Sequence, residues 1–203
     1  MSLIVNGSSA ASFDPIEEGT HVAVCYMLVD LGMQYSEQYK TKSKKVLIGW
    51  EIPGETVELE DGPHPRTLSK QYTASLNESA NLRQDLAAWR GRDFTGEELE
   101  AFDMRNIVGK TCLLNVVHKQ NNGKTYANIQ GIMALPKGMP KAKISDKAIV
   151  YDIDNDPPDA VEKLPKWIQD RVKKSESYQE KLYAAPKVEE IHEMEDDESD
   201  LPF

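Results

Sequence analysis

The sequence predicts a mainly β chain with helices (β+α). It is read as a five-stranded barrel with a two-helix insertion between strands 3 and 4, followed by a partly disordered acidic C-terminal tail. Three observations point there. Five runs of β-branched and apolar residues are separated by Gly, Pro and Asn turn signals. Two helical patterns fall between the third run and the fourth. The acidity is concentrated at one end: residues 1–143 carry 16 Lys+Arg against 17 Asp+Glu, whereas residues 144–203 carry 8 against 17. The net charge of −10 therefore belongs to a tail, and a near-neutral body remains free to bind an anion.

Each element has its own signature. Residues 1–15 are small, polar and expected to be loosely ordered. Residues 20–29 (THVAVCYMLV) read as a strand buried largely on both faces. Residues 30–45 form a polar loop, after which Val46, Ile48, Trp50 and Ile52 alternate along a second strand that turns Trp50 toward the core. Pro53-Gly54 and Asp61-Gly62-Pro63 mark turns around a short acidic excursion. Residues 66–73 are the third strand, with Leu68, Lys70 and Tyr72 on one face.

Ser75 with Glu78, and Thr95 with Glu98, read as two capping boxes, each opening a helix. The first helix carries Leu82, Leu86 and Trp89 on one face, so Trp89 is a core residue. Residues 111–119 and 126–135 form a hairpin around Asn121-Asn122-Gly123. Alternation puts Ala127, Ile129, Gly131 and Met133 on one face of its second strand. This order of strands and helices is that of an OB-fold barrel, a class that binds single strands across its sheet, and other small five-stranded barrels and α+β sheets read similarly.

Three segments follow: a domain over residues 1–143, a linker with a short amphipathic helix over 144–185, and an acidic tail over 186–203. In the linker, residues 152–159 (DIDNDPPD) are acidic, and Trp167, Ile168 and Val172 are the expected apolar contacts of the helix. Asp152, Asp154 and Asp156 alternate like the start of a calcium loop, but Pro157-Pro158 follow where Gly and further ligands belong.

Composition closes off several classes. The longest apolar run, residues 22–29, is far too short to span a membrane. No basic stretch precedes an apolar one at the N-terminus, so no secretory signal is expected. Cys25 and Cys112 lack zinc spacing, and their number fits a reducing cytoplasm. His21, His64, His118 and His192 are scattered, and no phosphate-loop, dinucleotide or nucleophile-elbow motif occurs. The chain is expected to be no enzyme and to need no cofactor or metal.

Two regions suit a single-stranded nucleic acid, which is held by cationic grooves and aromatic platforms. Tyr35, Tyr39, Lys40, Lys42 and Lys44 crowd the first interstrand loop with a single acid, Glu37. His118, Lys119, Lys124, Tyr126 and Asn128 gather on the last hairpin, and Lys70 and Tyr72 extend that surface. A third feature is the C-terminus, Asp196-Asp197-Glu198-Ser199-Asp200-Leu201-Pro202-Phe203. A terminal Phe behind acids can anchor in a partner's apolar pocket while Asp196, Asp197 and Asp200 steer the encounter.

That ending resembles the C-terminus of bacterial single-stranded DNA-binding proteins, an acidic run closed by Asp-Ile-Pro-Phe, with Leu201 where Ile would stand. The body resembles phage-encoded OB-fold single-stranded DNA-binding proteins over residues 68–138. The motifs include Leu68-Ser69-Lys70, Leu82-Arg83-Gln84-Asp85-Leu86, Trp89-Arg90-Gly91-Arg92, Asn106-Ile107-Val108-Gly109-Lys110, Tyr126-Ala127-Asn128-Ile129 and Leu135-Pro136-Lys137-Gly138. The resemblance implies single-stranded DNA binding without strong sequence preference in phage replication or recombination, in the host cytoplasm. It also implies a tip, Leu201-Pro202-Phe203, that recruits replication or repair proteins and competes with DNA for the groove. A protein-interaction adaptor without nucleic acid, and a strand-annealing accessory, are the alternatives. Monomer and homodimer both remain open.

Overall fold

A computed structural model describes residues 14–184 of the chain. Its strands are β1 (Gly19–Ser36), β2 (Thr41–Leu59), β3 (Gly62–Thr73), β4 (Thr111–Asn121), β5 (Lys124–Met133) and β6 (Ile149–Tyr151). The first five pair antiparallel in the order β3-β2-β1-β4-β5, and β6 adds to β1 in parallel. At the two ends of this order, β3 and β5 come within 8 Å between Cα atoms but form no ladder. The expected barrel is thus, in its hydrogen bonds, an open curved sheet. Its sixth strand leaves no signal in the sequence, because three residues carry too little pattern to register.

Two bulges shape β1. Its partners step from Cys25↔Trp50 to Met27↔Gly49 and from Asp30↔Val46 to Gly32↔Lys45, leaving Tyr26 and Leu31 as extra residues. The first bulge reverses which side chains face inward. Ala23 and Cys25 enter one core, whereas Met27, Val29 and Leu31 enter a second core on the other side of the sheet. The same bulge marks where pairing passes from β4, which ends at Val24, to β6, which begins at Met27. An unbroken apolar run is what such a strand requires.

The first core lies between the sheet and the insertion, formed by α1 (Asn81–Arg90), α2 (Gly96–Glu100) and a 3-10 turn at Met104–Ile107. Leu82, Leu86 and Trp89 of α1 meet Ile48, Trp50, Leu114 and Val116. The Trp50 and Trp89 rings stand 5.9 Å apart, and the Trp89 indole N–H donates to the Thr111 carbonyl at 3.0 Å. Of the two capping boxes only the second forms: the Thr95 N–H donates to Glu98 Oε2 at 3.0 Å and the Glu98 N–H to Thr95 Oγ1 at 3.4 Å. Ser75 instead accepts from the Asn77 N–H, and a separate turn delays α1 until Asn81.

The β4–β5 turn is the two-residue type that Asn-Gly favours, with φ 50° at Asn122 and 74° at Gly123. Further along, Gln130 bulges out between partners Val116↔Ile129 and Asn115↔Gly131. The bulge reverses the predicted alternation, so Ile132 is buried and Met133 is 41% exposed.

The second core corrects the reading of residues 144–185 as a linker with one short helix. After β6 come a 3-10 turn at Pro158–Lys163, α3 (Lys166–Lys173) and α4 (Glu176–Ala184). Tyr151, Ile153, Val161, Leu164, Ile168, Val172 and Tyr178 pack on Met27, Val29, Leu31 and Leu47. The acidic turn is ordered by its own groups. The Asp152 carboxylate accepts from the Asp154 and Asn155 N–H groups, and the Lys181 ammonium donates to the carbonyls of Ile153, Asp154 and Asp156. Trp167 departs from expectation too: Ile168 and Val172 are fully buried while Trp167 is 47% exposed.

Candidate nucleic-acid interface

The predicted loop at 30–45 is mostly strand. β1 runs to Ser36 and β2 starts at Thr41, so only four residues turn, with Lys40 at φ 50°. Tyr35 stands opposite Lys42 and therefore shares its face. Tyr35 and Tyr39 are 58% and 71% exposed, and Lys40 is exposed as well. The other two candidate lysines have acidic partners. The Lys42 ammonium lies 2.7 Å from Glu176, which raises its pKa. Lys44 lies 3.0 Å from both Asp30 and Asp154; burial works to lower its pKa, and these two hydrogen bonds outweigh it.

Asp30, Asp152 and Asp154 bring carboxylate oxygens within 4.8 Å of one another and are the described residues best able to hold a cation. The Lys44 ammonium already serves two of them. These groups edge a cleft of about 600 Å³ that also holds Glu100, Asp103 and Arg105. Its acids outnumber its bases, which disfavours a phosphate backbone there.

On the β4–β5 hairpin, Lys119 stands opposite Tyr126, Val117 opposite Asn128 and Asn121 opposite Lys124, all on one face. Tyr126 is 49% exposed, and Lys119 and Lys124 are exposed. Asn128 is half-buried and donates to the Tyr126 carbonyl at 3.0 Å. His118 does not join them. It lies on the opposite face, where its Nε2 is 2.8 Å from the Ile16 carbonyl and its backbone N–H donates to Glu18. Strand alternation separates it from Lys119 and makes it a tether for the segment before β1.

Lys70 and Tyr72 are a second correction. Their face of β3 turns toward α1, because Leu68 and Tyr72 carry the apolar pattern that the first core needs. Tyr72 is 4% exposed, and its hydroxyl donates to Asp85 Oδ2 at 2.8 Å, while Lys70 reaches the same oxygen at 2.7 Å. Burial, then the Asp85 charge, raises the Tyr72 phenol pKa. Tyr72 is thus a core side chain with a satisfied hydroxyl and has no face left for a base. Lys70 remains partly open and lines a polar cleft of about 440 Å³ with Lys45, Gln71 and Asn81.

The opposite face of β3 is the exposed one, a polar stripe of Thr67, Ser69, Gln71 and Thr73. Sequence reasoning passed it over, although alternation from the apolar Leu68 and Tyr72 points to it. The two tyrosine groups lie at opposite ends of β1: the β1–β2 turn follows Ser36, and the β4–β5 turn extends past Gly19. Asp196, Asp197, Asp200, Leu201, Pro202 and Phe203 lie outside the described residues.

Nucleophilic chemistry finds no footing at the thiols. Cys25 and Cys112 are both fully buried, and burial pushes the Cys25 thiol up to about 12 and raises Cys112 as well. No helix among the described residues is long and apolar enough to cross a membrane. Compared with known proteins, the chain matches no family model and no curated protein.

Proposed function

We propose that the protein binds single-stranded DNA, with little sequence preference, on an OB-type barrel. The observation that carries this reading is the Lys119–Tyr126 pair, an exposed aromatic directly opposite a cation on a sheet ordered β3-β2-β1-β4-β5. Bases stack on aromatics of this kind while lysines meet the phosphates. The approach of β3 to β5 supports a barrel rather than a flat sheet. Tyr35, Tyr39 and Lys40 supply a second, exposed group at the far end of β1. Lys45 and Lys70 line a separate polar cleft and are further phosphate contacts in this reading, Lys70 in competition with Asp85. No catalytic step is part of this function.

The C-terminal Leu201-Pro202-Phe203, on its acidic approach, recruits a replication or repair protein and competes with DNA for the lysines. The expected setting is phage replication or recombination in a bacterial host.

The adaptor reading draws support from the pairing of Lys42 with Glu176 and of Lys44 with Asp30 and Asp154, which lowers the charge offered to phosphate. Anisotropy titration of labelled oligo-dT, a duplex and an RNA strand at two salt concentrations decides between the two. Salt-sensitive binding that favours the DNA single strand is the expected result. No binding by either the full chain or a chain lacking residues 196–203 overturns the proposal and leaves the adaptor. Tighter binding by the shortened chain at low salt is the expected signature of competition by the tip.

A further inference from the structure

Trp167 is the one tryptophan on the surface. Trp50 and Trp89 are 0% and 7% exposed, whereas Trp167 is 47% exposed on a helix whose neighbours Ile168 and Val172 are fully buried. Pro165 caps α3 and fixes its phase, so the 100° step per residue that turns Ile168 inward leaves Trp167 outside. Trp167 thus offers a large aromatic face to solvent.

Arg171, one turn further along α3, stacks its guanidinium 5.6 Å from the indole centroid. The same guanidinium donates from Nη1 to Gln71 Oε1 at 2.9 Å, which ties the pair to the exposed stripe of β3. Two residues along that strand, about 7 Å, Ser69 stands opposite Gly49. There the Tyr26 ring crosses the sheet, its Cε1 3.1 Å from where a Gly49 Cβ would sit. The aromatic and cationic residues of α3 thus continue into the exposed Gln71 and Ser69 of β3, with the partly buried Tyr26 beyond them and Gly49 buried under Met27. Lys174 continues the Trp167–Arg171 face at i+7, and Asp170 flanks it.

We propose that Trp167 and Arg171 form a stacking platform for a base of the single strand, with Gln71 hydrogen-bonding beside it. This inference rests on the single-stranded DNA reading and extends it to α3. The chemistry favours a nucleic-acid base over a peptide. The indole is stacked against a guanidinium that is itself bound to an amide, and a base offers both a π-face and polar edges to such a pair. Sequence alone did not reach it, because Trp167 at the start of an amphipathic helix reads as a core contact.

The test is an oligo-dT titration of the full chain, followed by tryptophan emission and in parallel by anisotropy of the labelled strand. Stacking on Trp167 quenches emission, and Trp50 and Trp89 are too deeply buried to contribute. Expected results are quenching in the wild type, its loss in Trp167→Phe with affinity largely kept, and affinity roughly five- to hundredfold weaker in Trp167→Ala. Arg171→Ala weakens binding while Arg171→Lys restores part of it. Unchanged melting of each variant separates this from misfolding. Wild-type binding that Trp167→Ala leaves intact overturns the platform and spares the function. Failure of the wild type to bind overturns both. Quenching by a protein partner, with none by DNA, assigns the surface to a peptide and overturns the platform.

Discussion

Tyr35 stands directly across the β1–β2 ladder from Lys42, and the Lys42 ammonium is held 2.7 Å from the Glu176 carboxylate. An acid of α4 therefore occupies the position that a phosphate would take beside an exposed aromatic. Glu176→Gln removes that competitor and leaves the fold's apolar contacts in place. The expected outcome is oligo-dT affinity roughly two- to fivefold tighter at low salt, the scale of one exposed ion pair. The slope of log affinity against log salt should steepen by about 0.7, one additional phosphate neutralised. Unchanged affinity and slope would show that Lys42 does not meet the strand.

The two tyrosines that look alike in the sequence separate in the structure. Tyr126→Ala removes an exposed ring and should weaken oligo-dT binding roughly five- to hundredfold without changing the melting temperature. Tyr72→Phe removes a buried hydroxyl from Asp85, leaving that carboxylate with Lys70, and should cost about 1 kcal/mol of stability with no effect on binding. Thermal melts and anisotropy on both variants form a crossed comparison, and the reverse pattern would contradict the assignment of faces on β3 and β5.

What the sequence made legible follows from the range of each signal. The Asn122-Gly123 turn, the Thr95 cap and the Leu82–Leu86–Trp89 stripe are local, and each forms as read. The bulges at Tyr26, Leu31 and Gln130 are visible only in the pairing, because a single extra residue leaves composition unchanged while reversing every face beyond it. That is why Met133, which plain alternation puts on the face of Ala127 and Ile129, is exposed while Ile132 is buried. Leu68, Lys70 and Tyr72 do share a face as alternation predicts, but alternation does not say that this face meets α1 rather than extending the hairpin surface. The second core stayed hidden for the same reason. Ile168 and Val172 announce an apolar face, but its partner, Leu47 and the Met27–Leu31 stretch, lies more than a hundred residues away.

That second core makes residues 149–184 part of the folded unit. Gly32, at φ +70°, has no room for a side chain, since a Cβ would lie 2.6 Å from Ser175 Oγ and 2.8 Å from Ile153 Cδ1. Gly32→Ala should therefore destabilise by about 1–3 kcal/mol, from overpacking and left-handed strain together. Ile168→Ala should cost about 2–5 kcal/mol through the cavity it leaves. Ending the chain at residue 143 should expose Met27, Val29, Leu31 and Leu47 and yield aggregating protein. Urea melts and light scattering check these outcomes, and a soluble, cooperative 1–143 fragment would refute the dependence.

The loop that joins α1 to α2 sets the acid limit of the insertion. Hydrogen bonds from Arg92, then the Thr95 N–H, and the Arg90 guanidinium lower the Glu98 carboxyl from its ordinary 4.5 to about 2. Arg83, then the Phe94 N–H, lowers Asp93 from 3.8 to about 2. In both, the folded-state pKa lies below the unfolded one, so the unfolded chain takes up protons first as pH falls. The stabilisation is complete above the ordinary carboxylate range and is lost between about pH 4.5 and pH 2. Glu98→Gln removes its share at every pH. The melting-temperature gap between wild type and variant should be constant above about pH 5, close as pH approaches 2, and shrink in molar salt because both carboxylates face solvent. Melts across that range read the gap directly, and a gap that persists undiminished at pH 2 would assign the loss to the hydrogen-bond geometry of the cap rather than to its charge.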